Sequence, residues 1–176
     1  MQKSPSHTYH NSNHNNQNNR NQIMTSQCQF TLGIDPGVNG GMCLLNSNND
    51  IVLLEAWSTE SAFVEHLDEC IEISGGNLTA YVEKVASMPA QGVVSVFTFG
   101  ENFGFLKGAI RGLKVSLNLV LPKEWQTPLR LKKAATKTIH KNLLKDCATR
   151  FYPKYKFTLK TCDAALIARH GFLNNQ

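Results

Sequence analysis

The sequence of 176 residues lacks the long apolar segments that membrane proteins need. It contains no run of eighteen apolar residues, so we expect no transmembrane helix and no membrane partner. The N-terminal region also lacks the apolar core of a signal peptide, so export is not expected. These absences predict a protein that works in the cytoplasm.

Cysteine is scarce, and its spacing excludes the common zinc motifs. The chain has five cysteines and no CxxC pair. An odd number without zinc spacing indicates reduced thiols, which fits a cytosolic protein. The five are Cys28, Cys43, Cys70, Cys147 and Cys162.

Acidic residues are fewer than basic ones. The sequence has 13 Asp and Glu against 18 Lys and Arg, which gives a formal net charge of +5. This balance is compatible with a polyanionic partner such as DNA. Many soluble proteins are equally basic without binding DNA, so the charge alone does not decide the function.

The first 28 residues form a polar, Asn-rich segment. It has too few apolar side chains to bury a core, so we predict that residues 1–28 are disordered and that residues 29–176 form one folded domain. Met24 lies just before the predicted fold. We hypothesise that translation starts at Met24 rather than Met1, and mass spectrometry of the native N-terminus would decide between them.

The remaining chain alternates between strand and helix patterns, which predicts an α/β domain with a mixed sheet. The predicted strands are Phe30–Asp35, Gly41–Leu45, Ile51–Ala56, Leu78–Glu83 and residues 114–121. Predicted helices cover residues 60–73 and 91–112, a Lys-rich segment before Cys147, and the segment that follows Asp163.

Three acidic residues stand at the ends of predicted elements. Asp35 ends the first strand before Pro36-Gly37, Glu83 ends a later strand, and Asp163 opens an Ala/Leu/Ile-rich helix. If they converge, their hard oxygen atoms suit Mg²⁺ or Mn²⁺ better than zinc. Each also has an ordinary interpretation, as a turn, a strand end or a helix cap.

Several motifs surround these acids in a fixed order. They are Gly33-Ile34-Asp35-Pro36-Gly37 with Gly40, the run from Val82 to Pro89, Gln91-Gly92, Phe97-Thr98-Phe99-Gly100, Phe103-Gly104, Pro122 with Trp125-Gln126, Phe151-Tyr152-Pro153, and Asp163-Ala164-Ala165-Leu166-Ile167-Ala168 with Gly171. On this ordered set the chain resembles RuvC-like Holliday junction resolvases. The resemblance spans about residues 30 to 171.

The resemblance implies an RNase H-like mixed five-stranded sheet flanked by helices. It implies a Mg²⁺-dependent endodeoxyribonuclease, a crossover junction endonuclease that nicks four-way DNA junctions symmetrically in recombination and repair. It also implies a homodimer. Asp35, Glu83 and Asp163 would be the catalytic metal ligands for one or two Mg²⁺ or Mn²⁺ ions, with Asp35 bridging the two.

The sequence departs from this family at one position. These nucleases usually carry a further acid three to five residues before the last Asp, where this chain has Thr158, Leu159 and Lys160. The absence of this acid has three possible meanings. It weakens the binding of one of two metal ions, water or another acid such as Asp146 replaces it as a ligand, or the enzyme is degenerate. The alternative function is therefore a catalytically degenerate branched-DNA-binding protein.

Two further classes share features with this sequence. An RNA/DNA hybrid nuclease would use the same fold. An actin-like sugar kinase or ATPase also ends its first strand in Asp followed by Gly. The chain is too short for that two-lobed architecture, and no second phosphate loop is visible.

A basic segment lies between Pro122 and Cys147. The lysines at 133, 137 and 141 are four residues apart, so they would share one helix face, opposite a core side formed by Ala135, Ile139, Leu143 and Leu144. Few acids lie nearby, which favours phosphate contact. The predicted DNA-binding residues are Lys84, Lys123, Lys132, Lys133, Lys137 and Lys141, of which Lys132 and Lys133 are preferred for the cleavage region.

Four glycines recur every fourth residue in the second predicted helix, at Gly100, Gly104, Gly108 and Gly112. Such a stripe packs either on the sheet, which we favour, or on a second subunit. The neighbouring side chains of Phe97, Phe99, Phe103 and Phe105 are expected mainly in the core. Trp125 is predicted to be a core anchor, and His170 a surface residue rather than a proton donor.

Overall fold

The structure is a computed structural model that describes residues 29–37, 40–85 and 92–175. The predicted disorder of residues 1–28 lies outside this range and stays a prediction. The strands of the described part are β1 (Phe30–Asp35), β2 (Gly41–Leu45), β3 (Ile51–Ala56), β4 (Leu78–Glu83) and β5 (Ser116–Val120). Its α-helices are α1 (Glu60–Ser74), α2 (Val93–Gly112), α3 (Pro122–Gln126), α4 (Lys137–Phe151) and α5 (Cys162–Asn174), and a short 3-10 helix spans Thr127–Leu129.

The strands form one five-stranded mixed sheet in the order β3-β2-β1-β4-β5. The β1–β2 and β2–β3 pairs are antiparallel, and the β1–β4 and β4–β5 pairs are parallel. The predicted α/β class and the mixed five-stranded sheet flanked by helices are therefore confirmed. The predicted bounds of β1 to β4 agree with the structure, whereas β5 is shorter than predicted at both ends.

Helices cover both faces of the sheet, because side chains of successive strand residues point to opposite sides. One core lies between the sheet and helices α4 and α5, and it includes Trp125 and Tyr81. The other lies between the sheet and helices α1 and α2, and it includes Trp57 and Phe63. The prediction that Trp125 anchors a core is confirmed, since only 1% of the residue is exposed.

Side-chain caps fix the starts of two helices. The Thr59 hydroxyl accepts a hydrogen bond from the amide of Ala62 at the start of α1, and Thr136 accepts one from Ile139 at the start of α4. Such caps satisfy amides that lack partners within the helix. Gly75 ends α1 with a φ of 59°, a left-handed conformation that favours glycine.

The predicted packing of the Gly stripe against the sheet is wrong. A Cβ atom built at any of the four glycines of α2 would meet no other described atom within 4 Å, beyond the helix's own backbone and the chain neighbours. Burial in α2 is instead confined to Leu106 and Ile110. The expectation for the phenylalanines is confirmed only in part, because Phe97 is 65% exposed whereas Phe103 and Phe105 are partly buried against the core beneath α1 and α2.

The core side of α4 was also predicted incorrectly in part. Leu144 is buried as expected, together with Cys147 and Ala148. Ile139, however, is 47% exposed, and Ala135 is exposed before the helix begins. Residues 137–139 at the start of α4 are all exposed, so the apolar side chain of this turn does not enter the core.

None of the helices in the described ranges combines the length and the apolar composition needed to cross a bilayer.

Candidate functional site

The central parallel strand pair brings two of the predicted acids together. In the β1–β4 register Ile34 lies opposite Val82, so the next residues, Asp35 and Glu83, end the two strands side by side. Alternation along β1 places Asp35 on the same face as Gly33, which contacts α5. The two carboxylates therefore stand at the edge of the sheet on its α5 face.

Helix α5 brings the third acid to the same place. Asp163 lies in its first turn, and α5 packs closely on β1 because Gly33 has no side chain. A Cβ atom at Gly33 would lie 2.2 Å from the carbonyl oxygen of Ala164 and 2.2 Å from the amide nitrogen of Ala168. Only glycine permits this approach, which fixes Asp163 beside the strand ends.

Each acid is also held by a neighbouring donor. The amide of Gly37 lies 3.3 Å from Asp35 Oδ1, so the Pro-Gly turn returns to the acid that precedes it. The indole nitrogen of Trp125 donates to Glu83 Oε1 at 3.1 Å, and the Cys162 thiol donates to Asp163 Oδ1 at 3.3 Å. These contacts restrict the orientation of all three carboxylates.

A lysine enters the acid cluster from α4. Lys141 Nζ donates to Asp163 Oδ2 at 2.5 Å and lies 3.7 Å from Asp35 Oδ2. The Asp163 side chain is 7% exposed and that of Lys141 38%, so the pair stands at the inner end of an open groove. The structure thus places Lys141 among the acids, and not on the solvated face predicted for phosphate contact.

Burial and the neighbouring charges change the pKa values of two of the acids and of Lys141. Burial, with the Asp163 charge second, raises the pKa of Asp35. Burial and then the Asp35 charge raise the pKa of Glu83 to about 7, although the Trp125 hydrogen bond opposes this shift. Burial lowers the pKa of Lys141, but the carboxylates of Asp163 and Asp35 outweigh it, so the net shift is upward and the ammonium form is favoured.

The acids line the floor of a groove with a cavity volume of about 710 Å³. Residues of α3, the start of α4 and the segment before it form the walls, where Gln126 Oε1 and His140 Nε2 lie 3.0 Å apart. Among the described lining residues, the basic side chains besides this histidine are Lys137 and Lys141.

The other predicted DNA-binding lysines lie outside the groove lining. Lys84 follows β4 directly, Lys123 lies in α3, and the other two lie between the 3-10 helix and α4; all four are exposed. Lys133 lies before α4 begins at Lys137, so the predicted shared helix face applies only to Lys137 and Lys141. These lysines are Lys84, Lys123, Lys132 and Lys133.

No other acid takes the place of the missing fourth carboxylate in the described part. Asp146 is exposed and lies five residues beyond Lys141, which is roughly 140° around the helix. Lys160 is exposed, and its carbonyl oxygen packs against Gly41 at the start of β2. His170 pairs with Asn174 on α5, as a surface residue would.

The three carboxylates match a divalent metal in chemistry more than in arrangement. Carboxylate oxygen atoms suit a hard cation, and burial raises the pKa values of two of these acids, Asp35 and Glu83. Yet no group of three or more His, Cys, Asp or Glu residues in the described ranges is already arranged to hold a metal ion. Lys141 occupies part of the space between the acids.

Sequence reasoning missed two features of this site. It identified Trp125 only as a core residue, although the indole also orients Glu83. It also missed the His140–Gln126 pair in the groove wall. No sequence signal identifies these contacts, because each joins residues from different helices or from a helix and a strand.

No protein-family model matches the chain, and no curated protein matches it in sequence. Solved structures do match. The Thermus thermophilus RuvC structure superposes with a TM-score of 0.60 at 15% identity, covering 84% of this chain and 96% of that one. T. thermophilus RuvC in complex with a Holliday junction substrate gives a TM-score of 0.62 at 14% identity, covering 83% and 94%. The chain has a RuvC-like fold. The RuvC-like region spans most of the chain and carries Asp35, Glu83 and Asp163 on β1, β4 and α5.

Proposed function

We propose that the protein is a Holliday junction resolvase, a divalent-metal-dependent endonuclease that nicks four-way DNA junctions symmetrically. One observation carries the proposal: in a RuvC-like fold, three carboxylates from β1, β4 and α5 meet on the floor of an open groove. The matching T. thermophilus protein is bound to a Holliday junction substrate. Resolution of such junctions belongs to recombination and repair, which we expect to take place in the cytoplasm.

The groove provides the contacts for a DNA backbone. Lys137 lies in its wall, and Lys132 and Lys133 are exposed on the segment that leads into α4. Lys84 and Lys123 are exposed beyond the groove, where they would contact more distant phosphates. Contacts of this kind position the duplex arms without reading bases, so junction shape would determine the choice of substrate.

The carboxylates would perform the chemistry at the groove floor. Asp35, Glu83 and Asp163 would hold Mg²⁺ or Mn²⁺, which when bound activates water and stabilises the leaving oxygen of a phosphodiester. Trp125 keeps Glu83 oriented, and the Gly37 amide keeps Asp35 oriented. A carboxylate fixed in this way loses little freedom when a cation or a phosphate arrives.

A homodimer would present two such sites to the two opposed strands of a junction. We assign the contact surface to α2, whose Gly stripe meets no described neighbour. Val93, Val94 and Phe97 are exposed by 85%, 79% and 65% on the same helix. Small residues allow two helices to approach closely, and exposed apolar residues gain from burial.

The test is cleavage of a labelled four-way junction in Mg²⁺ or Mn²⁺. We expect paired symmetric nicks that disappear in Asp35→Asn, with a loss on the order of a thousandfold or more. A linear duplex and an RNA/DNA hybrid of the same sequence serve as controls. Faster cleavage of the hybrid than of the junction would contradict the proposal and support a hybrid nuclease.

A second function is favoured by specific observations. The window of the usual fourth acid holds no carboxylate and reads Thr158, Leu159 and Lys160, and Lys141 pairs with two of the remaining acids. Both features would suit a catalytically degenerate protein that binds branched DNA. That protein would bind the four-way junction tightly in chelator and leave it uncut in both metals, a result that contradicts the nuclease proposal.

A further inference from the structure

The positive charge of Lys141 is unevenly shared among the three acids. Its ammonium group donates to Asp163 and lies 3.7 Å from Asp35. Glu83 instead accepts from the neutral indole of Trp125, and the strongest charge acting on it is the repulsion of Asp35. The cluster therefore has a side that already holds a cation, Asp35–Asp163, and a side that does not, Asp35–Glu83.

The two sides of the cluster also differ in the number of oxygen ligands that they offer to a metal ion. A second ion on the Asp163 side would need further oxygen donors, because divalent ions in nuclease sites are usually shared by several carboxylates. The sequence places Lys160 where a further acid would stand, and Asp146 is exposed on another side of α4. The described residues on this side thus supply a cation and no additional carboxylate.

We propose that Lys141 takes the place of a second metal ion, so that the site binds one divalent cation, between Asp35 and Glu83. The inference rests on the proposed nuclease function, which it makes more specific. Lys141 donates to Asp163 and pairs with Oδ2 of Asp35, so Asp35 would be shared between the lysine and the ion. When all three carboxylates are deprotonated, as a bound cation requires, they and one ammonium leave two negative charges, which match the two positive charges of one Mg²⁺ or Mn²⁺.

The test counts bound ions in the absence of DNA. The full chain is titrated with Mn²⁺ in a calorimeter, and free Mn²⁺ is measured in parallel by electron paramagnetic resonance. We expect one ion per chain for the wild type. Lys141→Gln should bind the first ion on the order of tenfold more tightly, because a nearby positive charge is lost, and should admit a second ion.

Two further variants control the comparison. Lys145→Gln removes a charge from the next turn of α4 without touching the acids, and it should keep one ion with unchanged affinity. Lys141→Gln combined with Lys160→Asp supplies a fourth acid, and it should bind two ions firmly. Circular dichroism checks that each variant is folded.

Two ions in the wild type would overturn the inference, as would one ion of equal affinity in the wild type and Lys141→Gln. Neither result concerns cleavage. If the wild type binds one ion but leaves the four-way junction uncut, the nuclease proposal fails while the assignment of Lys141 stands. If the wild type binds two ions and cuts, the nuclease proposal stands while this inference fails.

Discussion

Helices α5 and α2 pack on opposite faces of the same sheet but are held very differently. Most of α5 is buried, from Cys162 to Ala168 and again at Gly171. The longer α2 buries only Leu106 and Ile110. The difference follows from the strands: β1 offers a glycine to α5, so backbone meets backbone, whereas α2 leaves its own glycines facing outward. The helix that carries a proposed catalytic acid is thus firmly fixed, and the other retains an open surface.

The largest effect should come from the glycine that lets α5 approach β1. Gly33→Ala would place a methyl group 2.2 Å from backbone atoms of Ala164 and Ala168. Because backbone cannot move aside as a side chain can, we expect a loss of more than about 3 kcal/mol in the free energy of unfolding. Urea denaturation measures it. A variant with wild-type stability would show that α5 is not held as closely as described.

The next prediction distinguishes an effect on core packing from an effect on metal binding. It compares two buried tryptophans, one on each face of the sheet. Trp125→Phe removes a buried indole that donates to Glu83, and we expect a loss of about 1–3 kcal/mol in unfolding free energy. It should also weaken Mn²⁺ binding several-fold at neutral pH, because the Glu83 pKa rises further. The readouts are urea denaturation and metal titration.

Trp57→Phe is the matched control, because Trp57 is buried in the other core. It should lower stability similarly and leave Mn²⁺ affinity unchanged. Equal metal affinity in the two variants would contradict a role for the Trp125 indole in orienting Glu83.

The acids on the α5 face should make the stability of the fold depend on pH. Glu83 has a pKa of about 7 in the folded protein, and the pKa of Asp35 is also raised. The folded chain therefore keeps protons that the unfolded chain releases above about pH 4. The resulting stability is complete below that pH and is lost as the pH rises through about 7. In chelator, we expect the Tm to be a few degrees lower at about pH 8 than at about pH 5.

Two changes should make the Tm depend less on pH. Glu83→Gln removes the main titrating group, so its Tm should vary less with pH than that of the wild type. Added Mg²⁺ should raise the Tm more at about pH 8 than at about pH 6, because a metal ion binds the deprotonated carboxylates. A profile for Glu83→Gln identical to the wild type would exclude Glu83 as its source.

The smallest effect is expected on α2. Gly104→Ala adds a methyl group that meets no described neighbour beyond its own helix. In dilute solution it should raise the free energy of unfolding by up to about 1 kcal/mol, since alanine favours a helix. If the stripe forms the dimer contact, the methyl group should also weaken association in sedimentation experiments. Unchanged association would place the dimer contact elsewhere.

The sequence predicted well those features that depend on residues close together in the chain. Strands β1 to β4 are apolar runs bounded by turn residues, so their ends were found correctly. The three acids were found because each ends or begins such an element. Their side-by-side position further needs the β1–β4 register, which the family resemblance implied and the sequence pattern alone did not specify.

Features that depend on the rotation of a helix about its own axis could not be predicted in the same way. The four-residue spacing of Lys137 and Lys141 shows that they share a face, but not that this face meets carboxylates. The apolar residues of α2 lie on every side of the helix, so their spacing could not show that only Leu106 and Ile110 would be buried. Both outcomes depend on contacts between elements distant in the chain.

The close contact of β1 with α5 has a consequence for biosynthesis. In the described part, β1 is the first element in chain order, and the helix that covers its face, α5, is synthesised after all the other elements. A chain emerging from the ribosome must therefore carry an uncovered apolar strand surface until α5 has been synthesised, and such surfaces attract chaperones or aggregate. A truncated product that ends before α5 would lack both this cover and Asp163.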